Sequence, residues 1–106
     1  MTPEGKTKKR LKALLNEYRN VYQYWPVSNG MGAPALDVIV CANGHYLSIE
    51  VKAGDKSMTE RQESTSMQIR RAGGTAMLIN DNEGWLELTV WLIACGSELI
   101  ENSRAT

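Results

Sequence analysis

Residues 36–52 read LDVIVCANGHYLSIEVK, and the way this stretch pairs with itself decides the fold. Two β-prone runs flank Asn43-Gly44, the strongest short-range signal for a two-residue hairpin, because a type I′ turn needs positive φ at both central positions. A two-residue loop sets Ala42 opposite His45, so that Cys41 faces Tyr46, Ile39 faces Ser48 and Asp37 faces Glu50. Side chains alternate across a strand. One side therefore collects Leu36, Val38, Val40, Leu47, Ile49 and Val51, a uniform apolar surface for a core. The other side receives Asp37, Glu50 and, two residues further on, Lys52.

Directly opposed residues have Cβ atoms about 4.5–5.5 Å apart, and like charges in that position destabilise a sheet. A hard divalent cation held by one or two carboxylates and completed by water would neutralise the pair. A lysine beside such a site orients water and steadies charge developing on a phosphate. The plainer alternative is an Asp–Lys or Glu–Lys ion pair on a solvated face. Convergence of acid, acid and lysine on one side favours the metal reading.

Outward from the hairpin, the chain reads as alternating elements. Thr2-Pro3-Glu4 is a helix start, with Thr2 as N-cap and Pro3 in the first helical position. Leu11, Leu14, Leu15, Tyr18 and Tyr22 continue it as a helical stripe. Residues 21–27 (VYQYWPV) also read as a short edge strand, because Pro26 bars a central one. Residues 28–34 (SNGMGAP) are a loop. After the hairpin, residues 53–57 (AGDKS) break the strand, and residues 59–72 form a helix stopped by Gly73-Gly74. Residues 75–79 (TAMLI) are a strand. Residues 85–100 carry helical spacing at Leu88, Leu92, Cys95 and Leu99. The expected order is α-β-β-β-α-β-α, an α/β fold with a mixed sheet flanked by helices, in one domain of 106 residues.

The formal net charge of zero conceals a polarity. Residues 1–20 carry a balance of +4 and residues 81–106 a balance of −4, which suits contact with a polyanion through one face. Cys41 and Cys95 are too few for a disulfide framework, and no Cys or His spacing suggests zinc. The N-terminus is polar and basic, unlike a secretion signal, and no apolar run reaches the length of a membrane span. A cytoplasmic setting is expected, with no membrane and no small-molecule cofactor.

Asp37, then Glu50 thirteen residues later, one apolar residue and Lys52 form a pattern that resembles the PD-(D/E)XK nuclease superfamily. The chain is more closely similar to stand-alone VRR-NUC (virus-type replication-repair nuclease) domains of phages and bacteria. The resemblance runs from about Lys6 to Ile79. It includes the basic first helix, Trp25-Pro26, the glycine loop, the Gly44 turn, Ile49-Glu50-Val51-Lys52-Ala53, Thr59-Glu60-Arg61-Gln62 and Ala72-Gly73-Gly74. One departure is that Ala35-Leu36 separate Pro34 from Asp37, where the family often has proline immediately before the acid.

The resemblance implies a restriction-endonuclease-like core and a Mg²⁺- or Mn²⁺-dependent DNA endonuclease, phage-encoded and working in a bacterial host. Asp37, Glu50 and the backbone carbonyl of Val51 would hold the metal, with Glu4 of the first helix as a further ligand. Lys52 would assist the attacking water, and Gln62 would complete the catalytic set. Homodimers cutting branched DNA such as Holliday junctions are implied as well. A chain this short leaves no room for a separate DNA-reading domain, so recognition of DNA shape is expected.

Local readings stand beside these roles. Gln62, three residues after Thr59, also completes a capping box, and Glu4 also suits the positive end of its helix. Each lies seven residues before an apolar position, Leu11 or Ile69, and so begins an inward stripe. Lys8, Lys9, Lys12, Lys56, Arg70 and Arg71 are expected phosphate contacts. His45 reads as a turn residue, and Trp25 and Tyr24 read as packing residues rather than base-stacking ones. Two rival functions remain: a nucleic-acid-binding module without catalysis, and an adaptor using Trp25, Trp85 and Trp91 as an interface.

Overall fold

A computed structural model describes residues 1–27 and 32–101. Its elements are α1 (Pro3–Leu15), β1 (Val21–Tyr24), β2 (Val38–Ala42), β3 (His45–Val51), α2 (Glu60–Arg71), β4 (Thr75–Ile79) and α3 (Trp85–Ala94). They build one sheet in the order β1-β2-β3-β4. The first three strands are antiparallel, and β4 runs parallel to β3. This is the expected α/β order. Of the loop expected over residues 28–34, residues 28–31 lie outside the described residues.

The central hairpin has the register that its turn dictates. Asn43 and Gly44 take φ of 49° and 87°. Val38 pairs with Ile49, Ile39 with Ser48, Val40 with Leu47, Cys41 with Tyr46 and Ala42 with His45. On one face, Val38, Val40, Ala42, Leu47, Ile49 and Val51 are fully buried. They pack with Leu11 and Leu15 of α1, Leu88 and Leu92 of α3, and Met77 and Ile79 of β4. Removing that apolar area from water, at about 25 cal/mol per Å², is the main term holding the layers together.

The opposite face is only half covered. Helix α2 packs over β3 and β4, with Thr65 and Ser66 buried beneath it. Over β1, Tyr22 and Tyr24 are exposed on the same face. Helix α3 is apolar beyond its buried side: Leu86, Val90 and Ile93 are 78%, 58% and 63% exposed. Their i, i+4, i+7 spacing places them in one stripe. Among the described residues, no helix is long and apolar enough to cross a membrane.

Two helices end earlier than the periodicity suggested. Helix α1 stops at Leu15. Tyr18 instead forms an isolated bridge with Leu99, and Tyr22 belongs to β1, opposite Cys41. Asn20 turns the chain with a φ of 58°, which a helix does not accommodate. At the other end, Cys95 caps α3 and Gly96 has a φ of 82°, a left-handed stop. Leu99 therefore extends no helix. The segments after α1 and α3 are tied together instead, Arg19 N–H donating to the Glu98 carbonyl at 2.7 Å and Ile100 N–H to the Glu17 carbonyl at 2.8 Å.

Gly84, the N-cap of α3, combines a φ of 94° with close backbone packing: a Cβ there would run into the carbonyl oxygen of Leu78 and the side chain of Ile79. Gly44 has a similar φ of 87°, but a Cβ would meet open space. Gly44→Ala is expected to cost about 1–2 kcal/mol, the ordinary penalty of a left-handed alanine. Gly84→Ala adds a backbone collision to that penalty and destabilises by clearly more, as urea denaturation of the two variants would show.

Candidate active site

Asp37 lies immediately before β2, where the hairpin ladder ends. Its Oδ2 accepts the Val51 N–H at 2.8 Å, so the side chain takes the acceptor role at the ladder's end and is held beside β3. Glu50 belongs to β3 itself, next to Leu78 of β4, and is 5% exposed. Asp37 lies near enough to Glu50 to raise its pKa. The turn has set the acids side by side.

Their neighbours come from three other places. Lys52 Nζ lies 3.7 Å from Glu50 Oε2, and its backbone N–H is anchored on the Ile79 carbonyl at 2.9 Å. Gln62 arrives from the first turn of α2. Its Oε1 accepts the Thr59 N–H at 3.0 Å, while Thr59 Oγ1 accepts the Gln62 N–H at 3.2 Å. That reciprocal box commits the amide oxygen and aims the NH₂ group elsewhere, at Glu50 Oε2, 3.1 Å away. The capping role and the site role are thus one geometry.

Glu4 and Lys8 come from α1. Lys8 Nζ sits 3.3 Å from Glu4 Oε2 and 3.4 Å from Asp37 Oδ1. Glu4 is therefore joined to the acid pair through a lysine. Partial burial works against the charge on Lys8, but Asp37 and Glu4 outweigh it and raise its pKa.

Burial pushes the Glu50 carboxyl up to about 8, helped by the hydrogen bond and charge of Asp37 and opposed by Lys52. Burial beside a second acid thus favours the protonated form of Glu50. Two acids forced together in this way form a donor set that suits a hard divalent ion, which needs only one or two carboxylates and otherwise keeps water. Among the described residues, no group of three or more His, Cys, Asp or Glu side chains is placed to hold a metal. The donor set is the Asp37–Glu50 pair, with the Val51 backbone between Glu50 and Lys52.

The sequence reading missed the clamp that brings α1 here. Asp81 Oδ1 accepts from Thr7 Oγ1 at 2.6 Å, and its Oδ2 accepts the Gly54 N–H at 2.8 Å. The Thr7 bond, then Gly54 and the nearby Arg10 charge, hold its carboxyl below the usual range. Thr7 adjoins Lys8, so Asp81 fixes α1 against the loop that follows Lys52. Fully buried Asn80 holds the same loop through the Lys56 carbonyl at 3.0 Å. The run Asn80-Asp81-Asn82 signals a turn, but not these distant partners.

The expected phosphate contacts divide. Lys8 stands inside the site. Lys9 and Lys56 are exposed near it on α1 and on the loop after β3, and Lys12 lies over the Trp25 ring at 4.8 Å. Arg70 donates to the Ala76 carbonyl at 2.7 Å, fastening α2 to β4. Arg71 follows it, and both stand about 12 Å along the helix axis from Gln62. His45 pairs with Ala42 beside the turn, on the face away from Glu50. Trp25, Trp85 and Trp91 pack against the core.

No protein-family model and no curated protein matches the sequence. Among solved structures, the chain is similar to Hjc of Archaeoglobus fulgidus, a Holliday junction resolvase from an archaeal hyperthermophile. The TM-score is 0.57 at 18% identity, over 76% of this chain and 72% of that one. At that identity the likeness shows the fold: restriction-endonuclease-like, with a four-stranded mixed sheet and flanking helices.

The raised Glu50 pKa has a definite sign in stability. Between the ordinary value of 4.5 and about 8, the folded chain holds a proton that the unfolded chain releases. Stability in EDTA therefore falls as pH rises across that window, by at most about 1.4 kcal/mol per pH unit, and levels off above it. Glu50→Gln removes the slope and leaves a protein more stable than the wild type at pH 9. Thermal melts of both proteins at pH 5.5, 7 and 9 check this.

Proposed function

We propose that the chain is a Mg²⁺- or Mn²⁺-dependent DNA endonuclease of the PD-(D/E)XK superfamily, of the VRR-NUC kind, that nicks branched DNA such as Holliday junctions as a homodimer. The observation that carries this reading is the buried Glu50 in contact with Asp37, flanked by Lys52 at 3.7 Å and Gln62 at 3.1 Å. A solvated surface ion pair needs neither burial of an acid nor a second acid against it. The Hjc-like fold supports the reading, and the substrate named for that neighbour motivates the choice of branched DNA.

Asp37, Glu50 and the Val51 carbonyl would hold the cation, which supplies Lewis acidity toward a water and neutralises charge on the phosphate. The residues of the chain do the rest. The Val51 N–H fixes Asp37, and Gln62 fixes Glu50, so neither acid has to be ordered when substrate arrives. Lys52, a donor with no acceptor capacity, is placed to orient the attacking water and hold a phosphate oxygen as charge grows there. The water oxygen joins phosphorus, giving up a proton to solvent, as the bridging P–O bond breaks, and the leaving oxygen takes a proton from solvent. Lys9, Lys12 and Lys56 are the exposed cations near the acids for flanking phosphates.

A two-fold dimer would present two such sites to two strands. The outward stripe of α3 supports it: Leu86, Val90 and Ile93 form an apolar surface of the kind that marks interfaces.

Labelled four-way junction, flap, duplex and single-stranded DNA incubated with Mg²⁺, Mn²⁺ or EDTA provide the test. Metal-dependent nicking of branched substrates is expected. Asp37→Asn or Lys52→Ala is expected to lower the rate by at least about 100-fold while binding persists. Binding without cleavage in either metal would instead identify a recognition module. Light scattering on the same preparation should give the mass of a dimer, and Val90→Glu the mass of a monomer.

A further inference from the structure

Lys8 is the side chain in the site whose position is least expected of a residue that only meets DNA. Asp37 has two carboxyl oxygens, and one of them, Oδ2, is engaged by the Val51 N–H at 2.8 Å. The other, Oδ1, is the oxygen left to face a cation, and Lys8 Nζ lies 3.4 Å from it. The same ammonium lies 3.3 Å from Glu4 Oε2. Lys8 thus stands on the oxygen through which Asp37 would meet a metal, and ties it to Glu4.

We propose that Lys8 is a tethered counter-ion of the acid site: it neutralises the carboxylates in the metal-free protein and competes with the divalent cation for them. This rests on reading the acids as a cation site. The placement is built rather than incidental. Helix α1 is pinned at Thr7, the neighbouring residue, through Asp81 to Gly54, and its start is capped by Thr2, whose hydroxyl accepts the Gly5 N–H. A fixed helix therefore delivers the ammonium to one place. The four-carbon stem leaves it free to withdraw, and a side chain 32% exposed has somewhere to go.

Lys52 does not play this part. It lies against Glu50 Oε2, the oxygen already held by Gln62, and leaves Asp37 Oδ1 to Lys8. Two cations on one carboxylate oxygen repel, so metal entry requires Lys8 to yield. The arrangement lets the protein fold with its acids compensated before metal arrives, at the cost of a weaker metal affinity.

Calorimetric titration of Mn²⁺ into the full chain, in the absence of DNA, reads this directly. Lys8→Met keeps the stem and removes the charge. It is expected to bind Mn²⁺ tighter than wild type by about tenfold, within the usual range of coupling between two binding events, and to melt at a lower temperature in EDTA. Lys8→Arg keeps the charge and is expected to show neither change. Unchanged or weaker Mn²⁺ affinity in Lys8→Met, with wild-type binding abolished in Asp37→Asn, overturns the counter-ion role and leaves the cation site standing. Absence of Mn²⁺ binding in wild type and Lys8→Met alike overturns both.

Discussion

Everything at the site depends on the close placement of two acids, Asp37 held by the Val51 N–H and Glu50 buried on the strand beside it. It exists because Asn43 and Gly44 close the hairpin in two residues. A slip of one position in that register would send every side chain of β2 to the other face, separating the acids and exposing Val38 and Val40 in the same step. The apolar face and the acidic face are therefore specified together. The hydrophobic core enforces the placement of two groups that would otherwise repel each other.

Around that pair the fold gathers side chains from three further places without using a long loop to do so. Lys52 comes from the end of β3, Gln62 from the first turn of α2, and Glu4 and Lys8 from the first turns of α1. The two helical contributions are delivered by helix starts, each ordered by its own cap: Thr59 for α2 and Thr2 for α1. A cap fixes the first turn more firmly than packing alone would, since the terminal N–H groups have no other partners within the helix. Asp81 adds a long-range link between α1 and the loop after β3. The site is rigid because its parts end in hydrogen-bonded caps rather than in free side chains.

The readable portion of this design was the local portion. The Asn43-Gly44 turn, the alternation in β2 and β3, the boundaries of β4 and the Thr59 box all follow from neighbours within a few residues, and the sequence carries those signals directly. Tyr18, Tyr22 and Leu99 misled because they keep helical spacing beyond the true ends of α1 and α3. What stops those helices is Asn20 and Gly96, together with backbone bonds between two distant segments, Arg19 to Glu98 and Ile100 to Glu17. Asp81 was invisible as a site residue for the same reason, and Lys8, expected as a phosphate contact, gave no sign that it would pair with Asp37. Their partners lie far along the chain, and an isolated Asp or Lys looks the same in sequence whether it clamps a helix or faces solvent.

The two acids, chemically alike, end in different environments, and the mixed character of the sheet is the cause. Glu50 sits on β3, the strand that pairs antiparallel with β2 and parallel with β4, and α2 covers it from above. It is 5% exposed, and burial is the largest cause of its raised pKa. Asp37 lies beyond the end of a ladder, takes a backbone N–H and a lysine, and stays partly exposed at 22% of its side-chain surface. An all-antiparallel sheet ending at β3 would leave Glu50 on an edge, hydrated and ordinary. The parallel strand β4 and the crossover helix α2 are thus what turn an awkward acid in a hairpin into a buried one.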